Sequence, residues 1–106
     1  MKRIVNLNET FVYVINEDLG MSKGKIAAQV SHVAMLLADK TQGILGRAIV
    51  LKAPEKTLQA LKTQYPDEIE YIEDAGLTEV PKGSLTCIGF VREGKLGEIS
   101  KQFRLL

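Results

Sequence analysis

The chain of 106 residues carries 14 lysines and arginines against 13 aspartates and glutamates, so its formal net charge is +1. This length predicts one domain, which buries roughly 65% of its unfolded surface. A content of 45% hydrophobic and 25% charged residues excludes a disordered chain, and the net charge excludes a general electrostatic attraction to nucleic acid. One cysteine and one histidine exclude a structural zinc site, and we expect no metal and no cofactor.

Hydropathy and cysteine content predict a cytoplasmic protein. No apolar run approaches the roughly 20 residues of a membrane span, so we expect no membrane association. The basic N-terminus has no apolar stretch after it, which argues against a secretory signal, and we expect residues 1–9 to form a flexible N-terminal extension. Cys87 lies in an apolar run, which predicts a buried structural thiol in a reducing compartment rather than a nucleophile.

Strands and helices alternate along the chain. Residues 10–15 are β-branched and aromatic, which predicts a strand at the centre of a sheet. A turn at 16–20 leads into a first helix that runs to about Lys40. After a loop at 41–46, the near-continuous apolar run at 48–52 predicts a second strand that is buried on both faces.

The second half of the chain adds a helix, two strands and a short terminal helix. Pro54 stands where proline starts a helix well, and Pro66 ends this helix. Residues 69–73 and 85–91 predict the third and fourth strands, and 95–103 predicts the terminal helix. The β-α-β-α-β-β order favours a single α/β domain, with a mixed four-stranded sheet and helices packed on its faces. In such sheets ligands tend to bind at the carboxyl ends of parallel strands.

The first helix carries a polar row that core burial does not explain. At about 100° per residue, Lys25, Gln29 and His32 lie within roughly 40° of one another. Ser22 is suited to cap the N-terminus of this helix. Beside the polar row runs an apolar stripe with the spacing of a core-facing surface, formed by Ile26, Val30, Val33 and Leu37. The polar row therefore marks a candidate functional site that follows the first strand.

Three blocks of sequence carry a resemblance to a known family. Residues 20–32, which read GMSKGKIAAQVSH, closely resemble the first-helix motif of the archaeal/eukaryotic-type peptidyl-tRNA hydrolases, the Pth2 family. The resemblance continues at 74–78, DAGLT, and at 81–89, PKGSLTCIG. It covers nearly the whole chain after Thr10, with the motifs in the same order.

The resemblance implies an enzyme that hydrolyses the ester between a peptidyl group and the terminal ribose of tRNA, with peptidyl-tRNA as its partner. We assign stabilisation of negative charge to Lys25, paired with Asp74, and the positioning of water or substrate to Thr78 and Thr86. A hydroxyl nucleophile with His32 as base has less support, because no acid is placed to orient the imidazole. The family pattern of catalytic residues falls on Lys25, Gln29, His32, Asp74, Thr78 and Thr86.

Three lysines are candidates for contact with RNA. Lys23 and Lys25 flank Gly24 at a helix N-terminus, where positive charge is unfavourable unless it meets an anion such as phosphate. Lys82, before Gly83, is the third candidate. The alternative for Lys23 and Lys82 is an ordinary solvated lysine. The sequence leaves the oligomeric state open, a homodimer included.

Structural alternatives exist for the other candidates as well. Gln29 could be a surface residue, Asp74 a turn residue and Thr86 an ordinary strand residue. His32 could pack at the edge of the core, against Tyr13 or Tyr71.

Three positions depart from the family pattern. Asn16 stands where the family usually has an arginine, the connection at 40–47 is short and lacks a tryptophan, and Phe90 and Val91 replace a Gly-Pro pair. The alternative function is therefore a relative with altered catalysis that serves as an RNA- or protein-binding module.

Overall fold

The computed structural model describes residues 3–77 and 79–106. In this part of the chain five strands and three α-helices follow one another, with a 3-10 turn at Glu17–Leu19. None of the described helices is long and apolar enough to cross a membrane. In chain order the elements are β1 (Asn6–Asn16), α1 (Lys23–Lys40), β2 (Gly46–Ala53), α2 (Glu55–Gln64), β3 (Glu70–Glu73), β4 (Leu85–Val91), α3 (Gly94–Ser100) and β5 (Arg104–Leu105).

The strands form one mixed sheet in the order β3-β4-β1-β2-β5. β1 lies at its centre, as the sequence predicted, parallel to β2 and antiparallel to β4. The predicted number of four strands is wrong, because β5 pairs with Leu51 and Lys52 of β2 as a fifth. With two residues, β5 is too short to show the alternation by which a strand is recognised.

Helices cover both faces of the sheet. Because successive strand side chains point to opposite faces, β1 contributes to two separate core clusters. Phe11, Tyr13 and Ile15 pack with Val33 and Leu37 of α1. The other cluster joins the sheet to α2 and α3 and includes Val12, Val14, Leu58, Leu61, Ile88, Phe90 and Leu96. The predicted arrangement of helices on the faces of the sheet is therefore confirmed.

The start of β1 and the end of the terminal helix differ most from the prediction, whereas the end of α1 at Lys40 and the bounds of β4 agree with it. β1 begins at Asn6 and pairs there with Gly46, so Asn6–Glu9 belong to a strand. The flexibility expected for residues 1–9 stays a prediction. The terminal helix ends at Ser100, because the chain turns there and the Phe103 N–H donates to the Ser100 carbonyl (3.2 Å).

Asn16 closes the edge of the sheet at which β1 ends and β4 begins. Its fully buried side-chain amide donates to the Leu85 carbonyl (2.9 Å) and to Glu55 Oε1 (3.1 Å). Its Oδ1 accepts from the Asp18 N–H (3.0 Å). This asparagine, which departs from the family pattern, therefore joins β1, the 3-10 turn, α2 and β4.

Candidate active site

An open cleft of about 630 Å³ separates the first half of α1 from the segment that follows β3. β1 and β3 are both antiparallel to β4, so their carboxyl ends lie at the same edge of the sheet. The cleft opens at that edge, which is where the sequence analysis expected a site. Lys25, Gln29 and His32 line it from α1, and Asp74 and Leu77 line it from the other side.

A nearly buried ion pair forms the centre of this cleft. Lys25 Nζ donates to Asp74 Oδ1 at 2.6 Å, and the two side chains are 10% and 7% exposed. The Gly76 N–H donates to the other carboxylate oxygen, Oδ2, at 2.8 Å. The hydrogen bond from Lys25, followed by that from Gly76, lowers the pKa of Asp74 below its ordinary value of 3.8. Asp74 is therefore ionised at neutral pH and held beside the lysine from both of its oxygens.

Gln29 links the ion pair to the sheet. The Thr86 hydroxyl donates to Gln29 Oε1 at 2.6 Å, which directs the amide Nε2 toward Asp74 Oδ1 at 3.4 Å. Gln29 is 3% exposed and Thr86 is fully buried. The alternative that Gln29 is a surface residue is therefore wrong. Thr86 is more than an ordinary strand residue, because its hydroxyl starts the series of hydrogen bonds that leads through Gln29 to Asp74.

His32 lies on the cleft wall one turn of α1 beyond Gln29. Its side chain is exposed, which contradicts the alternative of an imidazole at the edge of the core. No hydrogen bond or ion pair joins it to another residue in the ranges 3–77 and 79–106. Thr78, the remaining catalytic candidate, lies outside the described residues.

The RNA-binding candidates lie at different places. Lys25 is in the cleft, but Lys23 borders a separate apolar groove with Ile26 and Leu106. Lys82 is exposed and lies against Gly76, outside the residues that line the cleft. The backbone of Gly76 (φ +81°) passes so close to Lys82 that a Cβ on this glycine would lie 2.7 Å from Cβ of the lysine. A side chain at Gly76 would therefore disturb the turn that donates to Asp74.

Glu79 also lines the cleft, although no sequence pattern predicted it. Its Oε2 accepts from the Ser22 hydroxyl and its Oε1 accepts from the Ser22 N–H (2.8 Å). The hydrogen bond from the Ser22 hydroxyl lowers the pKa of Glu79 most. The bond from the Ser22 N–H and the charge of Lys25 lower it further. The prediction that Ser22 caps the N-terminus of α1 is confirmed, because its Oγ accepts from the Lys25 N–H (3.3 Å). The protein's own carboxylate thus stands at the helix N-terminus where we expected a phosphate, and only the tertiary fold reveals this pairing.

Cys87 lies under α1, away from the cleft. The thiol is fully buried, and burial raises its pKa to about 12. The predicted burial of this thiol is therefore confirmed, and its raised pKa fits a structural role. Within residues 3–77 and 79–106, no group of three or more His, Cys, Asp or Glu side chains is arranged to hold a metal ion.

Comparisons with known proteins show the family of this chain. The model of the family described as peptidyl-tRNA hydrolase PTH2 matches residues 10–106. A peptidyl-tRNA hydrolase of Thermoplasma acidophilum is 33% identical over 90% of this chain and 96% of its own length. One of Thermococcus onnurineus is 38% identical over 73% and 78%, and the mitochondrial peptidyl-tRNA hydrolase 2 of the mouse is 36% identical over 74% and 51%. The chain therefore belongs to the PTH2 family of peptidyl-tRNA hydrolases.

Proposed function

We propose that this protein is a peptidyl-tRNA hydrolase. It cleaves the ester between an N-blocked aminoacyl or peptidyl group and the terminal ribose of tRNA, and it releases free tRNA for translation. The observation that carries the proposal is the nearly buried Lys25–Asp74 ion pair on the wall of an open cleft, in a chain that belongs to this family.

Lys25 supplies the electrostatic part of the chemistry. When a water oxygen bonds to the ester carbonyl carbon, the carbonyl oxygen becomes negatively charged in a tetrahedral intermediate. The positive charge of Lys25 at the cleft wall stabilises that oxygen, and its low exposure strengthens the effect. The intermediate then collapses and the carbon–oxygen bond to the ribose breaks. The proton that the attacking water loses passes through solvent in the open cleft to the ribose oxygen, which leaves as a hydroxyl group.

Asp74 orients Lys25 rather than serving as the base. A carboxylate whose pKa is lowered is a weak base and is poorly matched to removing a proton from water near neutral pH. Its two oxygens are already engaged by Lys25 Nζ and the Gly76 N–H. These bonds fix the direction from which the ammonium group faces the cleft.

Gln29 and Thr86 hold the carboxylate in turn. The Thr86 hydroxyl is buried and donates to Gln29, so we assign it the orientation of this amide and not direct contact with water or substrate. The exposed His32 imidazole faces the cleft, where we assign it to contact with the substrate. Thr78 keeps its predicted role in positioning water or substrate.

We propose further that tRNA approaches over Lys23, Lys25 and Lys82. Lys25 lines the cleft, Lys23 is two residues before it in the chain, and Lys82 lies against Gly76 of the loop that lines the cleft, whereas the net charge of +1 requires a local contact surface. A cytoplasmic location is part of this proposal, and the free, buried Cys87 thiol fits it, because disulfides are rare in that compartment. A homodimer is a further prediction, which sedimentation of the purified protein tests.

Turnover of an N-acetyl-aminoacyl-tRNA tests the proposed activity. We expect the purified protein to release the N-acetyl-amino acid over many turnovers. The Lys25→Ala variant, purified in the same way, controls for contaminating hydrolases and should be nearly inactive. Binding of uncharged tRNA without turnover of the acylated form would contradict the proposal and would favour the RNA-binding module.

A further inference from the structure

The described residues between β3 and β4, 74–77 and 79–84 (the 74–84 segment below), contribute one wall of the cleft, and backbone hydrogen bonds join the two ends of the segment. The Asp74 N–H donates to the Ser84 carbonyl (2.9 Å), and the Gly83 N–H donates to the Asp74 carbonyl (2.7 Å). Val80 is buried in the core cluster beneath α1. In contrast, Leu77 near the tip is 87% exposed, so core packing does not fix this part of the segment.

Glu79 ties the same segment to α1. Both of its carboxylate oxygens accept hydrogen bonds from Ser22, one from the hydroxyl and one from the backbone N–H. The serine hydroxyl also accepts from the backbone N–H of Lys25. One serine therefore connects Glu79 to the helical turn that carries the lysine of the site.

We propose that Glu79 is a positioning residue for the hydrolysis, which holds the 74–84 segment on α1 and so keeps the Asp74 carboxylate beside Lys25. The inference rests on the proposed function. Gly76 transmits the effect, because its N–H donates to Asp74 Oδ2 and it lies between Asp74 and Glu79 in the chain. Asp74 and Glu79 are both hydrogen-bonded to residues at the start of α1, Lys25 and Ser22. The Asp74 carboxylate therefore cannot rotate away from Lys25 without also breaking its hydrogen bond with the Gly76 N–H.

The negative charge of Glu79 strengthens its hydrogen bonds with Ser22 at neutral pH. The hydrogen bonds from Ser22 lower the pKa of Glu79, so the carboxylate is ionised, and a negative charge is favourable at the N-terminus of a helix. An amide in the same place would keep an oxygen acceptor for Ser22 but would lose the charge and one acceptor oxygen. Alanine at position 79 would lose both hydrogen bonds with Ser22.

Steady-state kinetics of Glu79→Ala and Glu79→Gln test the proposal, with N-acetyl-aminoacyl-tRNA as substrate. We expect Glu79→Ala to lower kcat by about 10-fold or more, because misplaced catalytic groups reduce turnover strongly. Glu79→Gln should lose less, and KM and Tm should stay close to the parent values in both variants. Glu98→Gln, which removes an exposed carboxylate on α3, is the matched control and should behave as the parent.

Hydrogen exchange supplies a readout that does not depend on activity. In Glu79→Ala the Gly76 amide should exchange faster, whereas the amides of α2 should keep their protection. Parent-like kcat with unchanged Gly76 exchange would overturn the proposal, as would a rise in KM at constant kcat or loss of protection throughout the domain. If the parent itself fails to hydrolyse the substrate, the proposed function fails, and the Gly76 exchange still decides whether Glu79 orders this segment.

Discussion

At the scale of single residues, the site depends on one carboxylate that accepts hydrogen bonds from three groups. Asp74 accepts from Lys25 and Gln29 of α1 and from the Gly76 N–H in its own loop. Each of these bonds favours the charged form, which explains why the pKa is lowered although the side chain is nearly buried. The same bonds couple the charge of Asp74 to the stability of the fold.

The pH dependence of stability follows from that coupling. Because the folded-state pKa of Asp74 is lowered, its contribution is fully present above the ordinary value of 3.8 and is lost as pH falls through the lower, folded-state pKa. Asp74→Asn should therefore be less stable than the parent at neutral pH, and the difference should shrink as pH falls below the ordinary value of 3.8. Urea unfolding across this range measures it, with Glu73→Gln on the adjacent, half-exposed carboxylate as control. A difference that stays constant with pH would contradict the assignment.

A second residue-scale prediction concerns the buried hydroxyl of Thr86. Thr86→Val keeps the shape of the side chain but leaves Gln29 Oε1 without its donor. Leaving a buried acceptor unsatisfied should lower the free energy of unfolding by about 1–3 kcal/mol. Urea unfolding measures the loss, and Thr63→Val, on the exposed side of α2, should cost far less. A Thr86→Val variant as stable as the control would show that Gln29 finds another donor.

Sequence periodicity predicted which residues of α1 share a row, because helical geometry alone fixes the relation between Lys25 and Gln29. The partner of Ser22 could not be predicted in this way. Glu79 lies 57 residues further along the chain, and only the folding of the 74–84 segment onto α1 brings the two together. Helical periodicity therefore predicted the site residues on α1, but it could not predict the hydrogen bonds between Ser22 and Glu79.

At the scale of elements, the position of α1 on the sheet sets the width of the site. Val33 and Leu37 of α1 pack directly over Gly89 of β4, three residues beyond Thr86. A Cβ added at Gly89 would lie 2.5 Å from Cγ1 of Val33 and 3.1 Å from Cδ1 of Tyr13. Both neighbours are buried in the core and have little room to move.

Gly89→Ala should therefore push α1 away from the sheet. We expect the free energy of unfolding to fall by about 1–3 kcal/mol, the usual cost of an overpacked core. Gly24→Ala is the matched control, since nothing lies within 4 Å of its added Cβ, and it should be as stable as the parent or slightly more stable. Thermal unfolding of the two variants measures the difference. Equal stabilities of Gly89→Ala and Gly24→Ala would contradict the close packing of α1 on β4 at Gly89.

Elements with strong patterns were predicted well, and weakly patterned ones were not. α1 and β4 have long apolar stripes or runs, which fixed their bounds. β5 consists of two residues, both exposed, and its existence depends on the pairing with β2. The early part of β1 was missed for a similar reason, because Asn6–Glu9 lack the β-branched and aromatic residues that mark its second half.

At the scale of the whole molecule, the net charge of +1 limits how tRNA is attracted. Lys25 is engaged by Asp74, and Glu79 places a further negative charge near it. In our proposal, the more exposed Lys23 and Lys82 therefore supply most of the contacts with phosphate, beside Lys25. Such a surface makes few contacts and should show a modest salt dependence.

The salt dependence of tRNA binding tests this account of the surface. Two to four phosphate contacts correspond to a slope of about −2 to −4 in a plot of log K against log salt concentration. Lys23→Glu should make the slope shallower by about one unit and raise KM, with kcat nearly unchanged. Lys101→Glu, on the exposed turn after α3, is a control of equal charge change. An unchanged slope in Lys23→Glu would mean that tRNA approaches over another surface.

The central claim is that Lys25 and Asp74 act as one catalytic unit, and a double-mutant cycle on kcat tests it most directly. Lys25→Ala and Asp74→Ala should each lower kcat for N-acetyl-aminoacyl-tRNA by about 100-fold or more. The double variant should be only slightly worse than either single one, rather than worse by the product of the two effects. Lys62→Ala, which breaks the more exposed ion pair with Glu73 next to the site, should keep parent-like turnover. A folded Lys25→Ala variant with near-parent kcat, or a double variant that shows the full multiplied loss, would contradict the claim.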